Sequence, residues 1–358
     1  MEKVLALNMN IDLTTECFTF FRLAIALSSD KNIPWYIEHF NNYSLANYRW
    51  GNKYTMYYDN YEYFTHFDSV LDVKKVYLVN NIVTDIIEAI NNNGYFMVNC
   101  DSYYIQGDQN YQKEHVLHEM LIFGYNEEQQ EFDFVSVNIN NVIWGKHKLS
   151  FENLKAAYES CMQIVKNTYT DYGWIQMRNF DLPTSIFYLK EYNRQPRLEL
   201  FYEQISACLQ GGESLRKEID NGNPSYFPTR HGITVYKGIY EDFFGNLEAQ
   251  DTFPHDYEYA VYKLKFLTEV KESQFKKISY LDQSRLLPIN ENLLMKADIL
   301  CNTLKEGFLL MLKYTITSDK NILAKAKTKY MEAELLDIQV LSKLKDSLQK
   351  TLCCELHS

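Results

Sequence analysis

The residue best placed for chemistry is Cys17. It heads a segment, Glu16 to Leu27, in which Phe20, Leu23, Ala24 and Leu27 recur at helical spacing after the cap-type residues Asp12, Thr14 and Thr15. A helix N-terminus favours negative charge through its unpaired N–H groups and dipole, so a thiol there ionises more readily. An inert thiol packed like a small hydrophobe is the plain alternative.

A nucleophilic cysteine needs an imidazole to take its proton, and the imidazole needs a partner that fixes its ring. His118 opens an apolar run ending at Gly124-Tyr125. A polar turn, 126–131, then leads back through Phe132 to Asn138, as in an antiparallel hairpin. By the period of two, Phe132, Phe134, Ser136 and Asn138 share one face and Asp133 takes the other, provided that no bulge intervenes. The expectation is a triad of Cys17, His118 and Asn138, with Ser136 as the orienting group if the register is one pair shorter. An oxyanion would be held by the Cys17 backbone N–H and one donor upstream, for which Asn10 is the choice.

His115 and His118 are three residues apart, and with Asp101 they form a donor set that also admits a metal. If His118 heads a strand, however, His115 lies in the preceding loop and need not converge on the same point. His115 and Asp101 are therefore read as hydrogen-bonding support for the site, and no metal is expected. Nothing matches a Walker A or dinucleotide spacing, so no nucleotide cofactor is expected either. Trp144, shortly after Asn138, is read as a cleft wall or a core aromatic.

Positioning these residues takes an N-terminal helix and a sheet. Val83–Ile90 has helical spacing and closes at Asn91-Asn92-Asn93-Gly94, where Gly94 suits the left-handed C-terminal position. Tyr95–Cys100, His118–Tyr125 and Phe132–Asn138 read as strands, and Ser150–Ser160 as a capped amphipathic helix. The Asn- and Tyr-rich stretch 41–64 reads as an irregular excursion with short strands. After Leu182-Pro183 the helical period dominates, as in Leu335, Ile338, Leu341, Leu344 and Leu348. The expected fold is α+β: a catalytic region, 1–182, with an antiparallel sheet and a helix carrying Cys17, and a mostly helical region, 183–358, covering the site.

The chain has 36 Lys+Arg against 47 Asp+Glu, a formal charge of −11, which argues against a nucleic-acid partner because phosphate neutralisation needs a basic face. No apolar run approaches the roughly 20 residues of a membrane span, and the N-terminus lacks a signal-type apolar stretch. Seven scattered cysteines without a Cys-x-x-Cys spacing read as reduced thiols. A cytoplasmic protein with no membrane partner is expected.

Taken together, Cys17 with its helix, Val98-Asn-Cys-Asp101-Ser-Tyr-Tyr104 and Tyr111-Gln-Lys-Glu-His115-Val-Leu-His118 running on to Gly124-Tyr125 resemble papain-like cysteine enzymes. Within that superfamily the chain is similar to the butirosin biosynthesis protein H family, to which the closthioamide-type polythioamide synthetases are related. Tyr280-Leu-Asp282-Gln-Ser-Arg285 and the helices after it are also of the kind seen there. The resemblance implies a papain-like core and an acyltransferase that moves an acyl group from a carrier-protein thioester, through an acyl-cysteine, to an amine. It implies an acyl or peptidyl carrier protein and a small amine as partners, and no cofactor beyond the carrier's phosphopantetheine arm. The family often has Asp where this chain has Asn138. A cysteine peptidase or amide hydrolase would use the same residues, and an inactive carrier-binding scaffold would keep the fold without the chemistry.

Overall fold

The computed structural model describes residues 1–47, 54–58, 65–76, 79, 81–167, 184–220 and 223–355. The chain forms two compact units that interleave along the sequence. One comprises Met1–Ile11, Glu16–Ile33 and Glu62–Arg194; the other comprises Asp12–Thr15, Pro34–Tyr61 and Gln195–Ser358. The expected boundary at 182/183 lies outside the described residues.

In chain order the strands are β1 (Glu2–Val4), β2 (Tyr43–Asn47), β3 (Tyr54–Tyr58), β4 (Leu71–Val76), β5 (Gly94–Asp101), β6 (Leu117–Asn126), β7 (Glu131–Ile139), β8 (Val142–Ser150), β9 (Thr184–Leu189), β10 (Gly212–Asp220) and β11 (Asn223–His231). Every pairing among the described residues is antiparallel. Mixed helix and antiparallel sheet make the fold α+β.

In the first unit the sheet runs β4-β9-β5-β6-β7-β8, with β1 added to β6. β5 pairs with β6 up to Phe96↔Ile122, and β1 takes over from Val4↔Gly124 to Glu2↔Asn126. β9 follows residue 183 yet belongs to this sheet, because it is hydrogen-bonded to β4 on one side and β5 on the other. The mostly helical region expected over 183–358 thus begins with a strand of this sheet. The helices Ile82–Asn91 and Phe151–Asn167 cover one face, where Ile82, Ile86, Ile90, Leu154 and Ala157 meet Phe96, Val98, Met120 and Ile122. Ile186 belongs to that face, so Phe187 points to the other. There Arg22 of α1 (Cys17–Ala26) lies 5.0 Å above the Phe187 ring.

Local sequence explains most element ends. Asn81 caps the helix Ile82–Asn91 by accepting from the N–H groups of Val83 and Thr84. Its left-handed exit falls on Asn93, at φ 62°, and not on Gly94. Gly94 instead opens β5 under Ile186, whose Cγ2 would stand 2.6 Å from an added Cβ. The Ser150 hydroxyl accepts from the Asn153 N–H at the start of Phe151–Asn167. Among the strands that the sequence reading did not find, β4 and β8 sit at the two sheet edges and are mostly exposed or half-exposed, so they carry little apolar signal.

The second unit contains the long helices Glu258–Gln283, Glu291–Thr317 and Lys320–Glu355, which make the C-terminal half predominantly helical as expected. It also contains a four-stranded sheet, β10-β11-β2-β3, so part of the 41–64 excursion is regular strand; 48–53 and 59–64 lie outside the described residues. Lys271 and Asp337 form a buried ion pair at 2.7 Å, and the Tyr43 and Tyr236 hydroxyls donate to Asp337. Thr14 and Thr15 donate both their backbone N–H groups and their hydroxyls to the buried Glu269 carboxylate. No helix among the described residues is long and apolar enough to cross a membrane.

Candidate active site

Cys17 is the first residue of α1. Glu16 before it is extended, at φ −118° and ψ 116°, and its side chain makes no cap bond, which leaves the electropositive helix start to the partly buried thiol. The Sγ lies 3.7 Å from Nε2 of His118, the second residue of β6. The other ring nitrogen, Nδ1, lies 2.9 Å from the Glu119 backbone carbonyl. A carbonyl only accepts, so Nδ1 carries the proton and Nε2 presents its lone pair to the thiol. This tautomer can take the Cys17 proton.

Asn138 does not orient the ring. A bulge between Ile122 and Gly124 shifts the β6–β7 register by one residue, and the paired residues end at Leu121↔Val135. Extending that register would set Asn138 opposite His118. At Asn138, however, the backbone turns left-handed, at φ 58°, ahead of the Asn140-Asn141 turn, and the side chain is exposed. Ser136 is buried and donates to the Glu119 carbonyl at 3.2 Å, so it acts on the group that holds the ring and not on the ring itself.

Asn10 lies on the segment that leads into α1. Asn8 is tied to the carbonyls of Ala24 and Leu27 at the far end of α1. Asn10 is exposed, with its N–H bonded to Asn8 Oδ1.

His115 and Asp101 form a separate cluster. The fully buried Asp101 carboxylate accepts from His115 Nδ1 at 2.6 Å, from the Ser160 hydroxyl at 2.6 Å and from the Tyr103 N–H. Tyr103 stacks on the His115 ring at 4.5 Å. Asp101↔Leu117 and Cys100↔His118 are neighbouring pairs of one ladder, so this cluster braces the start of the strand that carries His118. The two histidines do not share a metal point.

The residue that the sequence reading missed is Glu119. One carboxylate oxygen, the Cys17 Sγ and a His118 ring nitrogen all lie within 4.8 Å of one another. Its signal was a charge inside the apolar run Leu117–Phe123. The thiolate, imidazole and carboxylate are a donor set of the kind that binds Zn²⁺. They are equally a nucleophile, a base and a second acid or base.

Around these groups, Trp144 of β8 stacks on Phe20 of α1 at 4.0 Å and meets Phe21 edge-on, so it packs against the helix that presents Cys17. The other cysteines of this unit are buried: Cys161 is pushed up to about 12 and Cys100 well above the ordinary thiol range, both chiefly by burial. No family model matches the chain, and no curated protein matches it either.

Proposed function

We propose that the protein is a cysteine-dependent acyltransferase of papain-like architecture. In this reading Cys17 takes an acyl group from a carrier-protein thioester and passes it to an amine. The observation that carries the reading is the 3.7 Å approach of Cys17 Sγ to a His118 Nε2 whose tautomer is set by the Glu119 carbonyl. The thiol gives its proton to Nε2 and the thiolate attacks the thioester carbonyl. The carrier thiol leaves with that proton, and an amine then attacks the acyl-Cys17, giving an amide and the free thiol. The helix start stabilises both the thiolate and the oxyanion beside it.

The choice of a carrier thioester and of transfer over hydrolysis rests on the resemblance to the butirosin biosynthesis protein H family. So do the assignment to thiotemplated natural-product biosynthesis and the need for no cofactor beyond the carrier's arm. The test is intact-protein mass spectrometry of wild type and Cys17→Ala after incubation with an acyl thioester, followed by a diamine. An adduct on the wild type alone, discharged as an amide, is expected. Discharge by water alone would make the protein a hydrolase, and full turnover by Cys17→Ala would remove Cys17 from the chemistry.

A further inference from the structure

Glu119 is 4% exposed, and its carboxylate has no hydrogen-bond or ion-pair partner among the described residues. Its contacts to His118 and Ser136 run through the backbone carbonyl alone. The carboxylate is directed at the reacting groups, within 4.8 Å of Cys17 Sγ and a His118 nitrogen. A carboxylate accepts hydrogen bonds only, so a group that binds it beside the thiol is a donor, and a cation binds it best.

Resting on the acyl-Cys17 reading, we propose that the Glu119 carboxylate is the binding group for the acceptor, a primary ammonium. The 4.8 Å spacing leaves room for an ammonium nitrogen in hydrogen-bond contact with Glu119 to reach attack distance, roughly 3–3.5 Å, of an acyl carbon bonded to Sγ. The ammonium loses one proton to Glu119, and its nitrogen forms the new C–N bond. A second proton passes from that nitrogen to His118 Nε2. The C–S bond breaks, His118 returns this proton to the Cys17 sulfur, and Glu119 releases its own to water. Water carries no charge to hold it at Glu119, so the same carboxylate favours aminolysis over hydrolysis.

The test needs no thioester at first. Iodoacetamide alkylation of Cys17 is timed by mass spectrometry with 1,3-diaminopropane or, as an uncharged control, 1,3-propanediol. The diamine, not the diol, is expected to slow alkylation of the wild type. In Glu119→Gln the half-protecting concentration should rise about tenfold or more, as for one lost charged hydrogen bond, with Glu119→Asp in between. Matching thermal melts establish that the variants are folded. Equal protection of wild type and Glu119→Gln, or none of the wild type, overturns the proposal. With a preformed acyl-enzyme, Glu119→Gln should lower the ratio of amide to hydrolysed acid formed at a fixed diamine concentration; an unchanged ratio overturns the proposal too. Protection by the diamine with no acylation by any thioester would uphold the amine site and sink acyl transfer.

Discussion

The Ser136 hydroxyl donates to the Glu119 backbone carbonyl, 3.2 Å away, and that same oxygen accepts from His118 Nδ1. One carbonyl thus joins β7 to the ring that faces the thiol. Ser136→Ala removes one buried hydrogen bond, and about 1 kcal/mol of stability should go with it. The sharper effect is on ring order: the alkylation rate of Cys17 at neutral pH should fall by a factor of about 2–5, the size of one weakened hydrogen bond. Urea unfolding and timed alkylation measure the two effects separately.

Cysteine labelling should be selective within the chain. Cys17 has the helix start and a proton acceptor, whereas burial holds Cys100, Cys161 and Cys301 in the neutral form, Cys161 and Cys301 up to about 12. In a Cys353→Ser/Cys354→Ser background, iodoacetamide at pH 7 should modify Cys17 first, read by peptide mapping. His118→Ala should move the onset of Cys17 labelling to higher pH. An unchanged onset would mean that the imidazole takes no proton from the thiol.

Asp101 and His115 are expected to matter unequally. Asp101 is fully buried with three donors on it, and the side-chain amide of Asp101→Asn cannot accept from all of them. That variant should lose about 2–4 kcal/mol, the range for a broken buried charged network. His115 is 54% exposed, so His115→Ala should lose less. If His115 only braces the strand start, His115→Ala keeps the wild-type pH dependence of Cys17 alkylation. A shifted profile would place His115 in the chemistry.

His39, in the second unit, offers a pH test of folding. Burial pulls it down to about 4 from an ordinary 6.5; nearby Lys277 and Arg197 act in the same direction and Glu38 opposes them. Between those two values the unfolded chain binds a proton that the folded chain refuses. Stability must therefore fall as pH drops from 6.5 toward 4, and it is fully present above 6.5. His39→Gln should flatten this part of the curve, seen as a smaller difference between urea midpoints at pH 7 and pH 4.5 than in the wild type.

Much of this was legible in the chain because it is local. Helical spacing after Glu16 placed Cys17 at a helix start, and alternating apolar runs located β5, β6 and β7. The pairing of Cys17 with His118 followed from what a thiol requires of an imidazole. Edge strands β4 and β8 escaped because solvent on their faces erases the apolar signal.

The ring-orienting group was beyond reach of the sequence. A single bulge between Ile122 and Gly124 and a left-handed backbone at Asn138 decide which β7 residue meets the start of β6, and neither has a one-residue signature. The carbonyl that holds His118 Nδ1 belongs to a backbone every residue shares, so no side-chain pattern could announce it. Glu119 shows the same division. The sequence determines that a charge interrupts an apolar strand, but only the tertiary structure brings its carboxylate to within 4.8 Å of a thiol that precedes it by 102 residues, because strand twist and the placement of α1 are set by packing over the whole sheet.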